Sequence, residues 1–122
     1  MATILVVDDL DLLHGLVRQA LEQHNHNLIH VYTGAAALDA LEDRDVELML
    51  LDLNLPDMTG FDVLDQLREC AKQVIVVMFS SEFSQQHEAT ALGKGARAYW
   101  EKCAENYLAL GERIADVLSS GN

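Results

Sequence analysis

The chain has 122 residues and a net charge of −12, with eight basic side chains against 20 acidic ones. Half the residues are hydrophobic and one is proline, which excludes disordered and collagen-like chains and leaves enough apolar surface for one packed domain. So acidic a chain lacks the cations that neutralise nucleic-acid phosphates or anionic lipid, and two cysteines are too few for a disulfide framework.

The elements follow in chain order. Met1 to Asp9 has no basic region and does not read as a signal peptide, and no apolar run approaches the ~18 residues of a membrane span. Ile4–Val7 is a continuous apolar run, as in a strand covered on both faces of a parallel sheet, and it ends in Asp8-Asp9. Leu13, Leu16, Val17, Ala20 and Leu21 recur at helical spacing. Leu28–Val31 mixes polar and apolar residues and reads as an edge strand; Ala37, Leu38 and Leu41 make a short helical stripe. Leu48–Leu51 is a second continuous run, ending in Asp52. Phe61, Leu64 and Leu67 form the next stripe, opened by Thr59-x-x-Asp62, which resembles a capping box. Val74–Phe79 is the third run, ending in Ser80-Ser81. Ser84–Leu92 has the weakest stripe and stops at Gly93 and Gly95, which predicts a marginal helix. Ala96–Trp100 is a second mixed strand leading to Lys102, and a last stripe runs through Tyr107, Leu110, Gly111, Ile114, Ala115 and Leu118.

Strands at intervals of roughly 20–26 residues leave room for the crossover helices that parallel pairing requires. Five βα units are too few for an eight-stranded barrel, and no GxGxxG follows the first strand. The predicted fold is α/β: a five-stranded parallel doubly wound sheet of order 2-1-3-4-5, a flavodoxin-like three-layer sandwich. That order puts the two mixed strands on the edges. Residues 1–122 are expected to form a single domain in a cytoplasmic protein.

Ligands of such a sheet bind at the carboxyl ends of its strands, at the switch point between strands 1 and 3. Asp8, Asp9 and Asp52 meet there. Two unit charges ~4 Å apart repel by about 4 kcal/mol at an effective dielectric of 20, so a compensating charge is expected: a hard divalent cation is one candidate and a lysine the other. Oxygen ligands this few suit Mg2+ better than Ca2+, because Mg2+ keeps waters or phosphate oxygens in its octahedron. Ser80 and Lys102 end strands on the same rim. A hydroxyl, an ammonium and a metal-bound carboxylate together make a phosphoryl site, with a carboxylate as nucleophile.

Four motifs in order carry a resemblance over essentially the whole chain: Ile4-Leu-Val-Val-Asp8-Asp9, Leu50-Leu-Asp52-Leu-Asn-Leu-Pro56-Asp-Met-Thr-Gly60, Val74-Ile-Val-Val-Met-Phe-Ser80 and Gly95-Ala-Arg-Ala-Tyr99-Trp-Glu-Lys102. The chain resembles the receiver domain of two-component response regulators, of the chemotaxis single-domain type. The resemblance implies that Asp52 accepts a phosphoryl group from a histidine kinase or phosphotransfer protein, so the domain is a phosphoacceptor in a phosphorelay rather than an enzyme with a separate substrate. It implies Mg2+ held by Asp9, Asp52 and the backbone carbonyl of Asn54, with Asp8 acting through water. It implies that Ser80 and Lys102 hold the phosphoryl oxygens, that Ser80 and Tyr99 form the switch, and that Asn54 and Glu82 border the path of the water that hydrolyses the phosphoryl group. Output is then expected through protein contacts on the face of the fourth helix, fifth strand and fifth helix, with no direct contact to nucleic acid or membrane.

The chain departs from the family in placing Cys103 and Ala104 where proline and an aromatic usually follow the lysine, and Ala98 where an acidic residue often stands. A cis bond before a non-proline residue costs about 3 kcal/mol, so Lys102–Cys103 is expected to be trans, with Lys102 standing further from Asp52. Two alternatives remain: a receiver-like scaffold that never takes phosphate, and an aspartyl-phosphate phosphatase, against which Asn54 stands where an acid/base aspartate is needed. His24, His26 and His30 read as polar surface, Cys70 as a partly buried small hydrophobe, and Trp100 as a core residue on the face opposite Tyr99.

Overall fold

In the computed structural model, which describes residues 2–70 and 73–120, the three continuous apolar runs are the inner strands of one parallel sheet. Its order is β2-β1-β3-β4-β5, with β1 at Thr3–Val7, β2 at Asn27–Val31, β3 at Leu48–Leu51, β4 at Ile75–Ser80 and β5 at Ala98–Glu101. The two mixed strands lie on the edges, where one side of each is left unpaired. Alternation along the strands separates two cores. Leu5, Val7, Met49, Leu51, Val76 and Met78 face α2 (Gly34–Asp43), α3 (Gly60–Cys70) and α4 (Gln85–Gly93). Ile4, Val6, Leu48, Leu50, Val77 and Phe79 face α1 (Asp11–Ala20) and α6 (Leu110–Ser120). Each such side chain contributes about 1.5–3 kcal/mol when fully buried, and together these layers hold the strand ends in register.

The start of α3 is built as the sequence suggests. Thr59 and Asp62 form the expected capping box, Asp62 accepting from the Thr59 amide at 3.0 Å and Thr59 Oγ1 from the Asp62 amide at 3.2 Å. Thr33 caps α2 and Ser84 caps α4. Ala91 alone of the α4 residues is buried, which matches its weak stripe. β5 begins at Ala98 rather than at Ala96: Gly95 takes a φ of +107°, and the Ala96 amide still bonds back to the Ala91 carbonyl. The last stripe is divided between α5 (Ala104–Leu108) and α6, parted at Ala109. Cys70 is exposed, not partly buried, because the buried stripe of α3 ends at Leu67. Tyr99 and Trp100 face opposite sides of the sheet; Trp100 is half-buried, with the Arg113 guanidinium 5.2 Å from its ring centre. Among the described residues no helix is long and apolar enough to cross a membrane.

Candidate functional site

Backbone pairing runs past the strand ends and carries the acidic residues with it. The Asp8 amide donates to the Val31 carbonyl at 3.3 Å and the Asp52 amide to the Val7 carbonyl at 3.0 Å. One carboxylate oxygen from each of Asp8, Asp9 and Asp52 lies within 4.8 Å of the others. Asp8 and Asp52 are buried; Asp9 is exposed.

Lys102 enters from the far side. Its amide continues the ladder to the Ser80 carbonyl at 2.9 Å, and its Nζ stands 2.5 Å from Asp8 Oδ2 and 3.4 Å from Asp52 Oδ1. The Lys102–Cys103 bond is trans, as no described peptide bond is cis. The lysine nevertheless does not stand off from Asp52: the extended ladder fixes its backbone on β4, and the four-carbon stem spans the rest. Burial pushes the Asp52 carboxyl up to about 6, the charge of Asp8 adds to this, and Lys102 and the Leu53 amide oppose it. Burial by itself would lower Lys102; its bond to Asp8 and the charges of Asp52 and Asp8 outweigh that and raise it.

A second set of residues closes the rim. Ser80 is buried, and its Oγ accepts from the Glu82 amide at 3.0 Å. Tyr99 is buried with its hydroxyl donating to the Glu82 carbonyl and its ring edge-on to Phe83. The Glu82 carboxylate accepts from Asn54 Nδ2 at 2.5 Å. Asn54, Glu82, Ser80 and Tyr99 are therefore one hydrogen-bonded chain reaching across the mouth from the β3 side to β5.

The loop that carries Asn54 is tightly folded. The Gly60 amide meets the Leu53 carbonyl at 2.6 Å, and Asn54 bridges Thr59. At its tip, Asp57 accepts from the amides of Gly34 and Ala35 at 2.8 and 2.9 Å, so the loop is fastened to the start of α2. Those two bonds hold the Asp57 carboxyl below its ordinary range. Nothing in the sequence separated Asp57 from a solvated loop aspartate, because its partners are backbone amides far along the chain.

Two of the three histidines expected at the surface make internal contacts instead. His24 is exposed, but the ring of His26 accepts from the Ala2 amide at 3.1 Å, and His30 lies 2.7 Å from the fully buried His14. The signal for His14 was its place three residues before Val17, on the buried stripe of α1.

Three carboxylates, each able to turn an oxygen inward, are a hard donor set that suits Mg2+ or Mn2+ rather than a thiolate-loving metal. A doubly wound sheet with these carboxylates at its switch point and a lysine across from them has a receiver architecture. The response regulator receiver domain family matches residues 4–110, and the chain belongs to that family.

The nitrate/nitrite response regulator protein NarL of Escherichia coli K12 is 35% identical over 106 residues, covering 85% of this chain and 49% of NarL. The transcriptional regulatory protein CpxR of the same organism is 36% identical over 102 residues, 84% of this chain and 43% of CpxR. The chain thus spans about half the length of these relatives. The two-component response regulator ORR3 of Oryza sativa is 33% identical over 99 residues, 79% of this chain and 76% of ORR3. Among solved structures, the CheY-like response regulator receiver domain protein of Methanospirillum hungatei superposes with a TM-score of 0.88 at 28% identity, covering 98% of this chain and 95% of that one.

Proposed function

We propose that Asp52 is a phosphoacceptor that takes its phosphoryl group from the phosphohistidine of a histidine kinase or phosphotransfer protein. The observation that carries this reading is the ion cluster: a buried Asp52 beside Asp8 and Asp9, with Lys102 Nζ between Asp8 and Asp52. An Asp52 carboxyl at about 6 is largely ionised at neutral pH, and so is nucleophilic.

Attack by an Asp52 oxygen on phosphorus forms the acyl phosphate and releases the imidazole of the donor. Lys102 moves from its two carboxylates to the incoming phosphoryl oxygens, and the Ser80 hydroxyl donates to another of them. Asp9, Asp52 and the carbonyl of Asn54, with Asp8 through water, would hold Mg2+. When bound, the ion supplies the positive charge that lets an anionic phosphoryl group approach three carboxylates. The switch is Ser80 with Tyr99: turning Ser80 Oγ toward the phosphoryl group releases the Glu82 amide, and the Tyr99 hydroxyl bonds the carbonyl of that same Glu82. Asn54 and Glu82 border the approach of the hydrolytic water, so their mutual hydrogen bond governs how long the phosphoryl group survives. Output passes to a partner protein through the face of α4, β5 and α5.

The test is incubation with acetyl phosphate and Mg2+, followed by mass spectrometry of the peptides. One phosphoryl group is expected, on Asp52, absent from Asp52→Asn and absent with excess chelator. Full modification of the Asn variant, or undiminished reaction in chelator, contradicts the proposal.

A further inference from the structure

Four polar or charged side chains among the described residues are buried: Asp8, Asp52, Ser80 and His14. The first three belong to the site. His14 is fully buried, and both its ring nitrogens are engaged, Nε2 at 2.8 Å from the Asp8 carbonyl oxygen and Nδ1 at 2.7 Å from His30 Nδ1. A carbonyl only accepts, so Nε2 carries the hydrogen. In the neutral ring Nδ1 then offers its lone pair, and His30 Nδ1–H donates to it. The Tyr32 ring covers His14 with centres 4.4 Å apart, and its hydroxyl donates to Asp11 in the first turn of α1.

The carbonyl that His14 grips belongs to the peptide joining Asp8 to Asp9. Rotation of that peptide would swing the two carboxylates relative to each other and to Asp52. The other polar atoms of Asp8 are held as well: its amide by Val31, Oδ1 by the Leu10 amide at 2.9 Å, and Oδ2 by Lys102. Without His14 the carbonyl would be the one polar atom of Asp8 with no partner among the described residues. We infer that His14 is a positioning residue whose Nε2–H fixes the Asp8–Asp9 peptide and thereby sets the affinity of the carboxylate cluster for a divalent cation. The inference rests on the phosphoacceptor reading above, in which that cluster holds Mg2+.

The experiment separates this role from simple packing. Glutamine places its amide nitrogen near where Nε2 stands, whereas asparagine reaches only as far as Nδ1. Mg2+ affinity is measured calorimetrically at 20 °C on His14→Gln, His14→Asn, Asp9→Asn and wild type, with circular dichroism to establish that each is folded. His14→Asn should bind Mg2+ about tenfold more weakly, as loss of a group that orients metal ligands typically does, and His14→Gln should stay within about threefold of wild type. Equal affinities for wild type and His14→Asn overturn the inference, as does an equal loss in both variants. If the asparagine chain does not fold, His14→Gln decides: wild-type affinity supports the role, and a tenfold loss overturns it. A wild type that binds no better than Asp9→Asn overturns the metal-site reading itself, and the inference with it.

Discussion

Asp52 shows how burial prepares a side chain at a cost. Its carboxyl is raised to about 6, first by lost water and then by the charge of Asp8. Between roughly pH 4 and 6 the folded chain therefore binds more protons than the unfolded one, and stability falls as pH rises through that window. Two pH units correspond to roughly 3 kcal/mol, with the full cost present above pH 6. Asp52→Asn keeps the shape and removes the charge. In chelator at pH 7.5 it should melt several degrees above wild type, and the advantage should vanish as the pH is lowered toward 4. Equal melting temperatures at pH 7.5, followed by circular dichroism, would contradict the electrostatic account. His14 belongs to the same scale: one ring nitrogen is spent on one peptide.

At the scale of elements, the β3–α3 loop is where packing and chemistry meet. Gly60 opens α3 so close to β3 that a Cβ there would lie 2.5 Å from the Asp52 carbonyl oxygen and 3.2 Å from Leu53 Cα, both backbone atoms. Gly60→Ala must push the two elements apart. It should cost about 1–3 kcal/mol in urea denaturation and slow phosphorylation by acetyl phosphate, since the displaced residue is Asp52 itself. Gly15, inside α1, has nothing within 4 Å of a built Cβ. Gly15→Ala should therefore stabilise by roughly 0.5–1 kcal/mol through helix propensity and leave the rate unchanged. Shifts of the same sign in both variants would mean that the close approach at Gly60 is not what matters. The same loop is pinned at its far end by Asp57 on the amides of α2, so it is tied to the starts of two helices.

At the scale of the molecule, a net charge of −12 on 122 residues opposes compactness. Raising sodium chloride from about 10 to 150 mM shortens the Debye length from about 30 to 8 Å and should raise the melting temperature of wild type and Asp9→Asn alike. Mg2+ at matched ionic strength should add a further increment in wild type alone, about 2.7 kcal/mol at a hundredfold excess over its dissociation constant. An identical Mg2+ increment in Asp9→Asn would reduce the effect to screening. The sheet order makes this test informative, because it gathers acidic residues from β1 and β3 into one place rather than spreading them over the surface.

Much of this was legible in the residues. Continuous apolar runs at Ile4–Val7, Leu48–Leu51 and Val74–Phe79 demanded burial on two faces, and the intervals between strands demanded crossover helices. Those two requirements left the doubly wound order 2-1-3-4-5 once the barrel and the dinucleotide-binding fold were excluded, and that order places the mixed runs on the edges and brings Asp8, Asp9 and Asp52 together. Local chemistry was equally plain at Thr59 and Asp62, which recognise each other three residues apart. What tertiary structure alone decided are contacts between groups distant in the chain and unremarkable in themselves. Asp57 finds the amides of Gly34 and Ala35, His30 finds His14, and Lys102 reaches Asp8 and Asp52 from a strand end whose next residue argued for a different path. Hydrophobic periodicity is a property of neighbours along the chain, so sequence carries it; a hydrogen bond is set to within a few tenths of an ångström by the packing of whole elements, and only the folded chain specifies that.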